Sequence, residues 1–201
     1  MVRFVCCLFF LCAFSLPAPG AEQQHLRKEI EQLYARGLAG DAAAVEECIV
    51  KLEAILQTQP KNQLARVYLG SALTLRSRDL GFGPSKLKVL KHGVAVMDEA
   101  VAAAPEDAKV RLARALTTQA LPFFLGRAST SRQDFAALVE MAQRPGSKIA
   151  PGDLQIIYYN AALGAKKNGD RARAAELLRK AQQHSADPAL ARKVEAELAT
   201  L

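Results

Sequence analysis

The sequence predicts an all-α protein made of stacked helix hairpins, and three observations carry that prediction. The composition is helix-forming: half of the 201 residues are hydrophobic, 23% are charged and only 6% are aromatic. Ala and Leu with Lys, Arg and Glu dominate, and β-branched runs are scarce. Apolar residues recur at helical spacing from Leu26 onward, with charges between them. Pro60 and Pro105, 45 residues apart, each close a helix pair and are followed by a polar dipeptide and a new amphipathic stretch.

The first 21 residues stand apart. Arg3 is the single charge before Glu22, and Phe4 to Leu16 is a 13-residue run, apolar but for Ser15, ahead of Pro17-Ala18-Pro19-Gly20-Ala21. A basic start, a short apolar core and a small-residue end describe a secretory signal peptide, too short to span a bilayer comfortably. Cleavage after Gly20 or Ala21 fits; an uncleaved anchor is the alternative. Leu11 ahead of Cys12 does not suit a bacterial lipidation box. The expected destination is the periplasm or the extracellular space, and the remaining domain is 22–201. Its net charge is +6, and it keeps Cys48 alone of four cysteines, so no internal disulfide is available to it. Cys48 is expected to pack as a small apolar residue.

Along the domain, Leu26, Ile30, Leu33 and Tyr34 form a first helix that Gly37 to Gly40 ends. Asp41 caps a second, with the stripe Val45, Ile49, Leu52 and Leu56 running to Pro60. A third helix carries Leu64, Val67, Tyr68, Ala72 and Leu75. Gly70 lies inside it at a cost of about 1 kcal/mol against Ala, which a close helix approach would offset. Residues 79–85 break that helix, and Ser85 is placed to cap a fourth through Leu87, Leu90, Val94, Met97 and Val101. A fifth shows Val110, Leu112 and Leu116 and ends near Leu121-Pro122, ahead of an apolar loop, 123–127. Ser131-Arg132-Gln133-Asp134 has capping-box spacing and opens a helix with Phe135, Leu138 and Val139 that Pro145-Gly146 stops. Pro151-Gly152-Asp153 starts a helix with Leu154, Ile157, Tyr158, Ala161 and Ala162. After Asn168-Gly169-Asp170 comes another with Ala174, Leu178 and Ala181. Asp187-Pro188 opens a polar-backed last helix of the kind a solenoid end needs.

These residues resemble the tetratricopeptide-repeat family, whose units are helix–turn–helix pairs of about 34 residues. In 154–186, Tyr158 takes the family's aromatic place, Ala161 and Ala162 its Leu-Gly pair, and Ala174, Leu178 and Ala181 its small–large–small set. A second match has Leu69-Gly70, Met97, Ala100 and Pro105, but Gly70 to Pro105 spans 35 residues where the pattern needs about 24. About eleven surplus residues therefore fall around Arg76 to Ser85, read as a stretched turn. The first and third units are more degenerate, and simple hairpin stacking outside the family is the alternative. The segments Tyr68 to Asp79 and Val110 to Phe124 also resemble a group of uncharacterised exported bacterial proteins. The resemblance implies a right-handed α-α superhelix with a C-terminal capping helix, whose first helices line a concave face. Carried over, the lining residues are Val67, Ser71, Thr74, Leu112, Leu116, Gln119, Tyr159, Leu163 and Lys166. The family's carboxylate clamp would need Lys and Asn where Val67 and Ser71 stand, so that mode is not expected.

No catalytic, cofactor or metal site is expected. His25, His92 and His184 fall on different helices without ligand spacing, residues 81–86 lack the glycine pattern and preceding strand of a phosphate loop, and no nucleophile elbow occurs. Glu46-Glu47 and Asp98-Glu99 are adjacent and diverge on a helix, as surface charges do. A basic cluster is the stronger candidate. Arg76, Arg78, Lys86, Lys88, Lys91 and His92 flank the long turn, with Arg111 and Arg114 three apart on the next helix. If they converge around Asp79 and Phe82 they form an anion site; the alternative is a solvated face plus a structural Arg–Asp pair. Nucleic acid is not expected at a modest +6 without interleaved aromatics, and the last helix has a mixed-charge face unsuited to membrane binding. The sequence therefore points to a protein or peptide partner and an exported, non-enzymatic interaction or scaffold module. A module for an anionic ligand bound at Arg76, Arg78, Lys86, Arg111 and Arg114 is the alternative.

Overall fold

The computed structural model describes residues 19–201, with side chains from Lys28 onward. Among the described residues all regular structure is helical: α1 Pro19–Leu38, α2 Ala42–Thr58, α3 Gln63–Asp79, α4 Pro84–Ala103, α5 Ala108–Ala120, α6 Ala128–Gln143, α7 Pro151–Lys167, α8 Arg171–Gln182 and α9 Pro188–Leu198. A 3-10 turn, Phe123–Leu125, lies between α5 and α6. The all-α class is thus observed. The expected signal segment lies outside the described residues except for 19–21, which open α1. No described helix is long and apolar enough to cross a membrane.

Local chemistry explains most boundaries. Asp41, Asn62, Asp107, Asp170 and Asp187 each accept a backbone N–H of the helix that follows, satisfying donors that have no partner within the helix. Gly40 and Gly169 take positive φ just beyond α1 and α7, where a side chain would be strained. Two expected caps are corrected. α4 is entered through Gly83 with Pro84 in its first turn, so Ser85 is already helical and caps nothing. α6 begins at Ala128, which places Ser131 inside the helix, buried, donating to the Ala115 carbonyl at 3.0 Å. The stretched turn is also corrected. Only residues 80–83 connect α3 to α4, and the surplus length extends both helices, because the apolar spacing of Leu87, Leu90 and Val94 continues back from the core.

Each helix packs on its neighbour in sequence, and α1 also touches α3, α3 touches α5, and α7 touches α9. The α3–α4 pair is tightest. A Cβ built on Gly70 would lie 2.6 Å from the Gly93 carbonyl oxygen and 2.6 Å from Met97 Cγ, so the two backbones meet where glycine allows it. This is the close approach expected at Gly70; its partner Gly93 was not anticipated. Gly70 faces Met97 while Thr74 faces Gly93, so α3 and α4 are antiparallel. Asp98 pairs with Arg114, and Val101 packs in one cluster with Val110, so α4 and α5 are antiparallel too. α3 and α5 therefore run the same way. α1 joins them in that direction, since Tyr34 meets Ser71 and the Gly37 carbonyl meets Arg78. Apolar side chains fill three clusters along this array: Val45, Ile49, Leu52 and Leu73 among α1–α4, Val67, Met97 and Val110 between α3, α4 and α5, and Leu138, Ile157, Leu178 and Val194 among α5–α9.

Candidate functional site

The parallel helices α1, α3 and α5, with α7, enclose a groove of about 890 Å³. Tyr34 and Leu38 come from α1, Tyr68 and Leu75 from α3, Leu112 and Leu116 from α5, and Ile156 from α7. Leu90 of α4 and Phe124 of the 3-10 turn close one side. Tyr34 and Tyr68 meet edge to face, ring centroids 5.7 Å apart, which sets both rings along one wall.

The floor is polar but internally satisfied. Tyr34 Oη lies 2.6 Å from Ser71 Oγ, Ser71 Oγ lies 2.6 Å from Thr117 Oγ1, and Thr117 donates to the Ala113 carbonyl at 2.9 Å. Because Thr117 spends its proton on Ala113, Ser71 must donate to Thr117 and Tyr34 to Ser71. The chain is directed into a backbone carbonyl, so these hydroxyls brace α1, α3 and α5 together. Arg78 and Lys86 mark one end of the groove, while Lys109 and Asp153 mark the other.

Against the expected lining, Ser71, Thr74, Leu112 and Leu116 do face the groove. Val67 does not: it is fully buried between α3, α4 and α5. Leu163 and Gln119 line a separate cavity of about 440 Å³ against α6 and α8. Tyr159 packs half-buried against the α7–α9 core, where burial and the nearby Glu197 push its phenol above the ordinary value. Lys166 is bonded to Glu197 at 2.7 Å and to Thr200. Tyr159 and Lys166 thus serve the packing of α7 against the C-terminal residues, and Leu163 faces the second cavity.

Of the basic residues, Arg78 and Lys86 gather at Asp79 and Leu80, whereas Arg76, Arg111 and Arg114 pair with other carboxylates. Arg76 pairs with Glu46, and Arg78 pairs with Asp79 while donating to the Gly37 carbonyl at 2.9 Å. Lys86 donates to the Arg78 and Leu80 carbonyls. Arg111 and Arg114 both clasp Asp134, whose side chain is 1% exposed: Arg111 through Nη1 at 2.8 Å, Arg114 through Nε at 2.8 Å and Nη2 at 2.7 Å. Arg114 also reaches Asp98 at 3.1 Å, and Arg127 reaches it at 2.5 Å. Burial disfavours the Arg114 charge, but Asp134 and Asp98 outweigh that and hold the guanidinium above the ordinary arginine value. Asp98, expected as a surface charge, is therefore the second anchor of a network tying α4, α5 and α6. A carboxylate beneath two arginines spends their charge inside the fold rather than on a ligand.

Sequence reasoning missed Tyr34, Tyr68, Leu90 and Phe124 as groove residues. A signal existed for the first two: they stand 34 residues apart, one repeat length. No family model matches the chain, and none of the curated proteins matches it.

Proposed function

We propose that this chain is an exported, non-enzymatic solenoid of tetratricopeptide-like hairpins that holds a polypeptide partner in the groove of α1, α3, α5 and α7. In this reading the hairpins follow one another in a right-handed superhelix and α9 caps its end. Residues 1–21 direct the chain to the periplasm or the exterior, where it scaffolds an envelope assembly. The observation that carries the proposal is the groove itself. Four first helices jointly line a trough walled by Tyr34, Tyr68, Leu75, Leu116 and Phe124. Aromatic and aliphatic walls over a braced, rigid floor suit apolar anchors of a peptide or helix. From Leu64 to Arg78 the trough follows α3 for about 21 Å, room for roughly six extended residues or four helical turns. The alternative, an anionic ligand at the basic residues between 76 and 114, has less support, since Arg76, Arg78, Arg111 and Arg114 already face carboxylates.

Photo-crosslinking amino acids placed at Leu75 and Leu116 in cells that export the chain test the proposal. Both sites are expected to give the same discrete polypeptide adduct, and the exposed Val50 on α2 none. Equal adducts from all three positions, or none from Leu75 and Leu116, would count against it.

A further inference from the structure

Large apolar side chains that a folded chain leaves in water are unevenly placed here. Four phenylalanines fall among the described residues, and only Phe135 is buried; Phe82 is 106% exposed, Phe123 88% and Phe124 72%. Leu38 and Leu87 are exposed as well. All five lie at one end of the molecule. Leu38 ends α1, Phe82 sits in the α3–α4 connection, Leu87 is in the first turns of α4, and Phe123 and Phe124 follow α5. Since α1, α3 and α5 run in parallel, these connections emerge together. Ser71 and Thr117 are in contact, so α3 continues about 12 Å past that level before ending at Asp79, and α5 about 4.5 Å before ending at Ala120. Of the remaining exposed large apolar residues, Leu116 belongs to the groove and Val50 stands alone on α2.

The same end is basic. Lys86, Lys88 and Lys91 lie on the first half of α4, and among the described residues no carboxylate pairs with any of them. Asp79, the nearest acid in sequence to Lys86 and Lys88, is taken by Arg78, and Asp98, the nearest to Lys91, by Arg114 and Arg127. Phe82 lines none of the cavities described, while Phe123 and Phe124 meet edge to face with centroids 6.1 Å apart and Phe124 also borders the groove. The aromatic groups therefore stand as two exposed knobs, one single and one paired, at the groove's end. A protein partner rewards complementary shape, whereas a bilayer interface accepts isolated apolar prongs flanked by lysines.

We infer that this end docks on an anionic lipid bilayer, with Phe82, Phe123 and Phe124 entering the headgroup–acyl boundary and Lys88 and Lys91 facing lipid phosphates. Docking there sets the groove beside the membrane, with its Arg78–Lys86 end nearest the lipid.

The chain contains no Trp, so Phe82→Trp, Phe124→Trp and Val50→Trp variants of the full chain each carry a single reporter. Emission of the reporter is the readout rather than the fraction bound, because the apolar run 4–16 can hold the chain on a vesicle by itself. With vesicles of phosphatidylcholine and phosphatidylglycerol, the reporters at positions 82 and 124 should shift to the blue and be quenched by bromine-labelled acyl chains. The reporter at position 50 should stay as in buffer, and phosphatidylcholine alone should leave all three unchanged. Adding Lys88→Gln and Lys91→Gln, both exposed and free of carboxylate partners, to the Phe82→Trp chain should raise the lipid needed for half of its emission shift about thirtyfold. Buffer-like emission from positions 82 and 124 on anionic vesicles overturns the proposal. So does an equal shift at position 50, or an unchanged lipid requirement in the lysine variant. A response of the reporters to envelope proteins but not to vesicles would assign the prongs to a protein and also overturn it.

Discussion

Gly70 and Gly93 decide how α3 and α4 meet, and each leaves no room for a methyl group beside the other's carbonyl oxygen. Gly70→Ala is expected to destabilise the protein by about 1–2 kcal/mol in urea denaturation, because overpacking against backbone exceeds the helical gain of roughly 1 kcal/mol. A stabilised variant would show that the two helices are further apart. Asp134 is shared by two arginines at one buried position, so Asp134→Ala should cost about 3–5 kcal/mol, more than Arg111→Ala, after which Arg114 still covers the carboxylate. Burial gives Cys48 a pH signature. Desolvation pushes its thiol from 9.0 to about 11. Below 9 both folded and unfolded chains hold the proton; between 9 and 11 only the folded chain does, so stability falls as pH rises through that window, by about 2–3 kcal/mol. With Cys6, Cys7 and Cys12 replaced by Ser, this loss should appear in urea titrations at pH 9 and 11 beyond that of the same chain carrying Cys48→Ala. Equal losses in the two chains would contradict the burial account. At this scale the sequence was informative where one residue has one role, as at Gly70 and Cys48. The arginines were ambiguous, because a pair three apart on a helix looks the same whether it faces a ligand or a carboxylate supplied twenty residues later.

At the scale of elements, the Asp41 cap was legible, since an Asp accepting an N–H group just after it needs nothing from the rest of the fold, whereas Asn62 and Asp107 were read only as polar residues following a proline. Asp107→Ala should cost about 1 kcal/mol in thermal or urea unfolding, whereas Ser85→Ala, inside α4, should change stability by less than about 0.5 kcal/mol. The opposite order would restore Ser85 as the cap. Ser131 and Asp134 show why the reading failed elsewhere. Residues three apart can bracket a helix start or share its inner face, and tertiary contacts to Ala115, Arg111 and Arg114 chose the second. The ends of α3 and α4 were legible, because the break read over 79–85 contains the observed connection, 80–83. It was the repeat pattern's shorter spacing that misassigned the surplus to a turn. The flanking helix ends carry Arg78, Lys86 and Leu90, which border the groove.

For the whole molecule, the all-α class followed from composition and period, while the groove did not follow fully from the repeat pattern. Ser71, Leu112 and Leu116 were foreseen because they sit on the first helices at matching levels. Val67 turned inward because α3 is pressed onto α4 at Gly70. Tyr159 and Leu163 were lost to the C-terminal core and to a second cavity. Phe124 reaches the wall from a connection rather than a helix, where periodicity is silent. The account rests on that groove being a polypeptide-binding surface. A displayed library of short peptides selected on the wild-type chain tests it most directly, with binding of the selected peptides then measured on Leu116→Asp and Val50→Asp. The account predicts apolar-anchored peptides whose affinity falls tenfold or more on Leu116→Asp and is unchanged on Val50→Asp. Peptides that bind both variants as they bind the wild type would contradict it.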